Sequence, residues 1–205
     1  PKIRVGNISA PREIKAGEEI VLEATTRIDN NEIIPVDYDG IANDVKVGDK
    51  ILLDDGKIGL QVTAIEGKRV HARVLYGETI KPRKGINIPG ATASLSAVTD
   101  RDVEFIRFAV EYDADYIALS FVREAKDIEL AKKHIANFGG NIPVIAKIEK
   151  PQAVENLEEI LKVTDGIMVA RGDLGIEMSP EDVPMTQKHI VEAAIKERKV
   201  CIVAT

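Results

Sequence analysis

A chain of 205 residues is long enough for one large domain or two modest ones. A net charge of −6 argues against a nucleic-acid surface built on bulk charge, and 4% aromatics with no Trp argue against base stacking. No apolar stretch is long enough to span a membrane, no signal peptide is recognisable, and the single cysteine, Cys201, rules out an internal disulfide and fits a reducing, cytoplasmic setting.

The first eighty-odd residues are β-rich and punctuated by turns. Glu19–Ala24 and Lys50–Leu53 read as short strands, and Asp54-Asp55-Gly56 after the second is a turn signal. Asp54 and Asp55 have a turn reading and, beside it, a ligand-contact reading. Ile58, Leu60, Val62 and Ala64 alternate, Glu66-Gly67 turns the chain, and Val70, Ala72 and Val74 alternate again, leaving His71 on the solvent side. The pattern predicts a meander of short antiparallel strands closing into a small barrel. Residues 79–90, TIKPRKGINIPG, read as the loop that leaves this domain; Lys81, Arg83 and Lys84 either solvate it or meet phosphates as point charges.

From Thr99 the period becomes helical. Thr99 and Asp102 make a capping-box pattern, followed by Val103, Ile106 and Val110 on one face. Residues 116–122, YIALSFV, read as a strand, and Ile128, Ala131, Ile135 and Phe138 as a helix stripe stopped by Gly139-Gly140. The stretch 143–177 then reads strand, helix, strand, loop, with Pro151 in the helix's first turn. Ser179-Pro180 predicts the start of a helix running to about Lys199, and Val200–Ala204, which holds Cys201 as a packed core residue, is a last strand. Strands alternating with helices predict a parallel α/β sheet. No glycine-rich dinucleotide fingerprint follows any strand, and the strand ends offer Ser120, then Lys147 and Glu149, then Arg171-Gly172-Asp173, then Thr205. Polar groups at consecutive carboxyl ends favour part of a (β/α)8 barrel. Four strands do not close one, so the sequence reads as an excised portion of a longer chain.

The 143–177 stretch carries the chemistry. Right-handed crossover places the carboxyl ends of its two strands on one side of the sheet. Lys147 and Glu149 are two apart and share a face, and Asp173 arrives from the next strand end. Two carboxylates without His or Cys form a hard, oxygen-only site suited to Mg²⁺ or Mn²⁺. Lys147 is placed to neutralise an anion or a developing oxyanion, and Gly172 leaves room for a small substrate. The bland alternative is a salt bridge capping a barrel mouth. Arg171-Gly172-Asp173 as an adhesion tripeptide is set aside, because it abuts a buried strand.

At AKIEKPQAVENLEEI and DGIMVARGDLGIEM the chain closely resembles pyruvate kinase, and the resemblance covers essentially all of it. Residues 1–3 resemble the end of the family's third barrel strand, 4–85 its small β-barrel lid, and 86–205 the barrel over about strands 4–7, with RKGINIPG as the return from the lid, SFVREAKDI as the fourth strand and turn, and CIVAT as the seventh. The resemblance implies phosphoryl transfer from phosphoenolpyruvate to ADP, giving pyruvate and ATP, at the end of glycolysis. It implies that Lys147 stabilises the enolate and the moving phosphoryl group, that Glu149 and Asp173 hold Mg²⁺ or Mn²⁺, that Gly172 contacts the substrate carboxylate, that Thr205 contacts substrate near the protonation step, and that Arg4 and Lys84 contact nucleotide phosphates. It further implies a cytoplasmic homotetramer with no nucleic-acid or membrane partner.

The segments that hold K⁺ in the family lie outside this sequence, as do the remaining barrel strands and a C-terminal domain. The full-length parent is therefore expected to be a pyruvate kinase, and these 205 residues alone are not expected to turn over. Two other readings compete. One is a metal-dependent aldolase or lyase of the phosphoenolpyruvate/pyruvate barrels, disfavoured by the β lid and by Lys147 two residues before Glu149. The other is a non-catalytic module binding metal or nucleotide, supported by the truncation and the sheet edge it exposes.

Overall fold

Strand-period alternation and turn chemistry build the first part of the chain in the computed structural model, which describes residues 2–25, 32–90 and 96–204. Two units separate, Lys2–Ser94 and Leu95–Thr205, the latter together with Pro1. The first contains β1 (Arg12–Glu13), β2 (Glu19–Ala24), β3 (Ile33–Val36), the short α1 (Ile41–Asp44), β4 (Lys50–Leu53), β5 (Ile58–Glu66), β6 (Arg69–Tyr76), β7 (Thr79–Ile80) and β8 (Ile86–Asn87). Its main sheet has the order β3-β2-β6-β5-β4-β8, and β1 pairs separately with β7. Among the described strands every pairing in this unit is antiparallel except β2 with β3. The sequence reading passed over β3, whose Pro35 argues against an interior strand; it lies at the end of the sheet order, where a missing N–H is tolerated.

Residues 3–6 join the two ends of this sheet. Arg4 bridges Gly85 beside β8 and Val5 bridges Val36 of β3, with the Val5 amide donating to the Lys84 carbonyl at 2.8 Å and the Gly6 amide to the Pro35 carbonyl at 2.7 Å. The barrel interior is filled by the alternating set Ile20, Leu22, Ile51, Leu53, Leu60, Val62, Val70, Ala72 and Val74, all buried. Two expected details change. A register shift between Val62 and Ala64 sets Ala64 against His71 and Ile65 against Val70, so the alternation read through Ala64 slips by one at a bulge. His71 is half-buried rather than solvent-facing, its Nε2 3.5 Å from the Glu66 carboxylate. The loop expected over 79–90 contributes β7 and β8, which pair with β1 and β4.

The second unit is a helix followed by four β strands alternating with helices: α2 (Asp100–Glu111), β9 (Ile117–Leu119), α3 (Ala125–Asn137), β10 (Val144–Ile148), α4 (Pro151–Glu155), α5 (Leu157–Val163), β11 (Gly166–Ala170), α6 (Arg171–Glu177), α7 (Val183–Lys196) and β12 (Val200–Ala204). The strands form one parallel sheet in the order β12-β11-β10-β9. This is a partial (β/α)8 barrel, with carboxyl ends of all four strands at one edge. Thr99 and Asp102 make the reciprocal cap of α2, the Thr99 amide donating to the Asp102 carboxylate at 2.9 Å. Val144, Ala146, Ile148, Ile167 and Val169 pack against Ile128, Ala131, Ile135, Leu157, Ile160 and Leu161 of the helical layer. With those positions turned to the helices, Lys147 and Glu149 face the other way, as strand alternation requires.

Four boundaries differ from the periodicity. The strand expected over residues 116–122 is confined to Ile117–Leu119, with Ser120 and Phe121 in a turn. The helix after β10 is broken once, at Asn156, whose side-chain amide donates to the Arg123 carbonyl at 2.9 Å. Helix α7 begins at Val183, with Pro184 in its first turn, instead of near Ser179, and ends at Lys196. Arg171–Glu177, expected as a loop, forms the short helix α6; burial of Leu174 offsets the propensity penalty of its two glycines, about 1 kcal/mol per residue.

Candidate active site at the strand ends

The parallel register aligns Lys147 with Met168 and Ile148 with Val169, so Glu149 leaves β10 beside the point where β11 passes into α6. Lys147, Glu149 and Ser120 are brought into direct contact. The Lys147 ammonium pairs with Glu149 Oε1 and donates to Ser120 Oγ at 3.1 Å. The other Glu149 oxygen, Oε2, accepts from the Phe121 amide at 2.9 Å. Glu149 is 1% exposed, and its Oε1 receives no aligned hydrogen bond although the Lys147 charge lies against it. A buried carboxylate oxygen that is charge-compensated but not saturated by donors is a suitable ligand for a hard cation.

Asp173 stands in the first turn of α6, half-buried, just after β11, the neighbour of β10 in the sheet. Gly172 is exposed in the same turn. Arg171 at the helix start donates from Nε to the Ala204 carbonyl at 2.8 Å, tying α6 to the end of β12. Thr205 lies outside the described residues. Among the described residues no group of three or more His, Cys, Asp and Glu side chains comes together as a metal cage. Glu149 and Asp173 are two carboxylates, and Mg²⁺ is usually held by one or two while its other positions go to water and substrate oxygens.

Sequence reasoning missed two contributors. Phe121 adopts a left-handed backbone (φ 57°), uncommon for a bulky residue, and its amide holds Glu149. Nothing in the side-chain pattern announces a backbone donor. Lys150 donates to Glu177 Oε1 at 2.7 Å, and the pair is almost entirely enclosed. The spacing of Asp173 and Glu177, four residues apart, would have put both on one helix face had α6 been read as a helix.

In the β-rich unit, Arg4 and Lys84 are neighbours at the barrel seam. The Arg4 side chain donates to the Arg83 carbonyl at 3.0 Å, and Lys84 pairs with Asp54 at 2.9 Å. Asp54 and Asp55 are both left-handed (φ 49° and 56°), leading into Gly56 at φ 85°, which is the turn that their sequence suggested. Lys2 pairs with Asp55 at 2.9 Å, so both aspartates are also held by cations at the seam. The hydrogen bond from Lys84 holds the Asp54 carboxyl below the usual range, against partial desolvation. Burial pushes the Asp37 carboxyl above it, against the opposing Arg4 amide and charge.

No helix among the described residues is long and apolar enough to cross a membrane. The family model described as pyruvate kinase, barrel domain, matches residues 1–205. The chain is 45% identical to the pyruvate kinase of Thermotoga maritima over 206 aligned residues, 41% to that of Mycobacterium intracellulare and 40% to that of Corynebacterium glutamicum, in each case over 100% of this chain. It spans 44%, 44% and 43% of the lengths of those three relatives.

Proposed function

Because this chain belongs to the pyruvate kinase family, we propose that it is the central part of a cytoplasmic enzyme that transfers a phosphoryl group from phosphoenolpyruvate to ADP. The observation that carries the reading is the strand-end constellation: a lysine and a buried, unsaturated carboxylate in contact at the end of β10, with a second carboxylate at the end of β11. Phosphoryl transfer asks for positioning and charge neutralisation more than for a covalent nucleophile, and this set offers cationic and anionic groups but no activated nucleophile.

In the proposed mechanism Glu149 and Asp173 hold Mg²⁺ or Mn²⁺, which when bound supplies Lewis-acid stabilisation of phosphate and enolate oxygens. Lys147, steadied by Ser120 and Glu149, places its ammonium against the transferring phosphoryl group and the enolate oxygen left behind. The Gly172 backbone meets the substrate carboxylate, and Thr205 meets the enolate near the carbon that is protonated. Arg4 and Lys84 contact the phosphates of the nucleotide from the unit 4–85, which serves as a lid. Closing it would exclude water and strengthen every charge interaction inside. Residues 1–3 continue the strand before the lid, 86–205 belong to the barrel, K⁺ is held by segments outside this chain, and the whole protein is a homotetramer.

The test is pyruvate formation from phosphoenolpyruvate and ADP with Mg²⁺ by the full-length protein, its Lys147→Ala variant, and the 205-residue chain alone. Activity in the full-length protein, a loss of about 10²–10³-fold or more in the variant, and none in the chain alone are expected. A well-folded full-length protein without activity would overturn the reading. Neither comparison favours the aldolase or lyase alternative. The non-catalytic alternative would gain from nucleotide or metal binding by the isolated chain without turnover in the full-length protein.

A further inference from the structure

Asp173 and Glu149 sit on different elements, and the structure contains a direct link between those elements that the proposed chemistry does not use. Lys150 follows Glu149 at the end of β10, and Glu177 lies four residues beyond Asp173 on α6. Their ion pair, at 2.7 Å, joins a lysine side chain 16% exposed to a glutamate side chain 2% exposed. Helix α6 has two glycines in seven residues and no side-chain N-cap, so its own propensity does little to fix it. Its contacts include Leu174 in the core, Arg171 on the Ala204 carbonyl, and Glu177 on Lys150. Of these contacts, only Glu177 with Lys150 reaches the strand end that carries Glu149. Lys150 lies beyond the last residue of β10, and its ammonium is taken up by Glu177.

We propose that Lys150 and Glu177 are positioning residues: their ion pair is a strut that sets α6 against the end of β10 and thereby fixes the spacing of Asp173 and Glu149 as a divalent-cation pair. This rests on the reading of Glu149 and Asp173 as the metal carboxylates. Partners that orient metal ligands typically change metal affinity by about 10–100-fold when removed, and a strut of two groups acts as a unit, so its two removals do not add.

The experiment measures Mn²⁺ binding to the full-length protein by the electron paramagnetic resonance signal of free Mn²⁺, without substrate, together with thermal unfolding and steady-state kinetics. The variants are Glu177→Gln, Lys150→Gln, the double variant, and Glu149→Gln and Asp173→Asn as controls. Each single strut variant is expected to weaken Mn²⁺ binding about 10-fold or more, the double variant no more than the worse single one, and the KM for ADP to stay within about 2-fold. Should Glu177→Gln fail to fold, Lys150→Gln carries the test from the less enclosed partner. Unchanged Mn²⁺ affinity in folded strut variants, or additive losses in the double, would overturn the strut while loss in the controls keeps the metal reading. Unchanged affinity in the two controls would overturn the metal reading itself, and the strut with it.

Discussion

Two ion pairs of the β-rich unit lie across the outer face of its sheet, Glu19 with Arg73 and Glu23 with Arg69 at 2.9 and 2.8 Å, whereas two of the α/β unit, Lys147–Glu149 and Lys150–Glu177, sit beside the end of β10 with their carboxylates enclosed. Each pair joins a glutamate to a cation, arginine on the sheet face and lysine at the strand end, and their surroundings are opposite. On an open face, water and salt compete with each partner, and the pair contributes little. At an enclosed strand end, each partner is the compensation for the other's desolvation, so removing one leaves a charge with nowhere to go. Charge at a strand end is thus retained at a cost that a surface pair does not bear, and the carboxylate proposed as a metal ligand lies where that cost is borne.

The largest effect that could break this comparison is at Lys147. Lys147→Met removes the cation beside a carboxylate 1% exposed and is expected to destabilise the second unit by about 3–5 kcal/mol. Adding Glu149→Gln should recover most of the loss, because the amide carbonyl still accepts from the Phe121 amide while the uncompensated charge is gone. Urea unfolding of the single and double variants checks this. A single variant as stable as the parent would show that the strand-end pair is screened like a surface one.

That enclosed pair was legible from the sequence, and the reason is local. Lys147 and Glu149 are two apart on a strand identified by its apolar run, and a period of two fixes their common face without knowledge of anything distant. The parallel sheet and its helical layer were legible for the same reason, since Ile128, Ala131 and Ile135 repeat at helical spacing and are buried together. Phe138, placed on that stripe by spacing, instead lies at the helix end, 38% exposed. Contacts that depend on tertiary packing were not legible. Arg171–Glu177 read as a loop, so the alignment of Glu177 with Asp173 was lost, and with it the partner of Lys150. In the β-rich unit the bulge after Val62 is a local slip that strict alternation does not encode, and the closing segment at Arg4 and Val5 rests on pairings with residues far away in sequence.

A smaller effect sharpens the other side of the comparison. A double-mutant cycle on Glu23→Ala and Arg69→Ala is expected to give a coupling of about 0.2–1 kcal/mol in low salt. It should fall toward zero at about 1 M salt, where the screening length is about 3 Å. Their geometry is good, at 2.8 Å, but Arg69 is 55% exposed. A coupling that survived high salt would mean that the sheet face is drier than its exposure indicates, and the contrast between the two units would weaken.

The smallest effect separates burial from location, because the α/β unit also carries an exposed pair. Lys132 meets Asp165 at 2.8 Å just before β11, and the Val144 amide donates to the same carboxylate at 2.8 Å. Partial burial pushes the Asp165 carboxyl up, but the Lys132 hydrogen bond, the Val144 amide and the charges of Lys132 and Lys199 outweigh it and hold the group below the usual carboxylate range. A carboxylate whose folded pKa lies below its unfolded value of about 3.9 contributes stability that is fully present above that unfolded value and is lost as pH falls through the folded one. Asp165→Asn should therefore lower stability by a constant amount above about pH 5, and the variant and parent should converge as the pH drops below 4. Urea midpoints taken between pH 7 and 2.5 give the two curves. If their separation is as small as that of the Glu23–Arg69 pair, exposure governs the strength of ion pairs throughout the chain, and the strand-end pairs differ only because they are enclosed. A separation approaching that at Lys147 would instead assign the difference to the α/β unit as a whole.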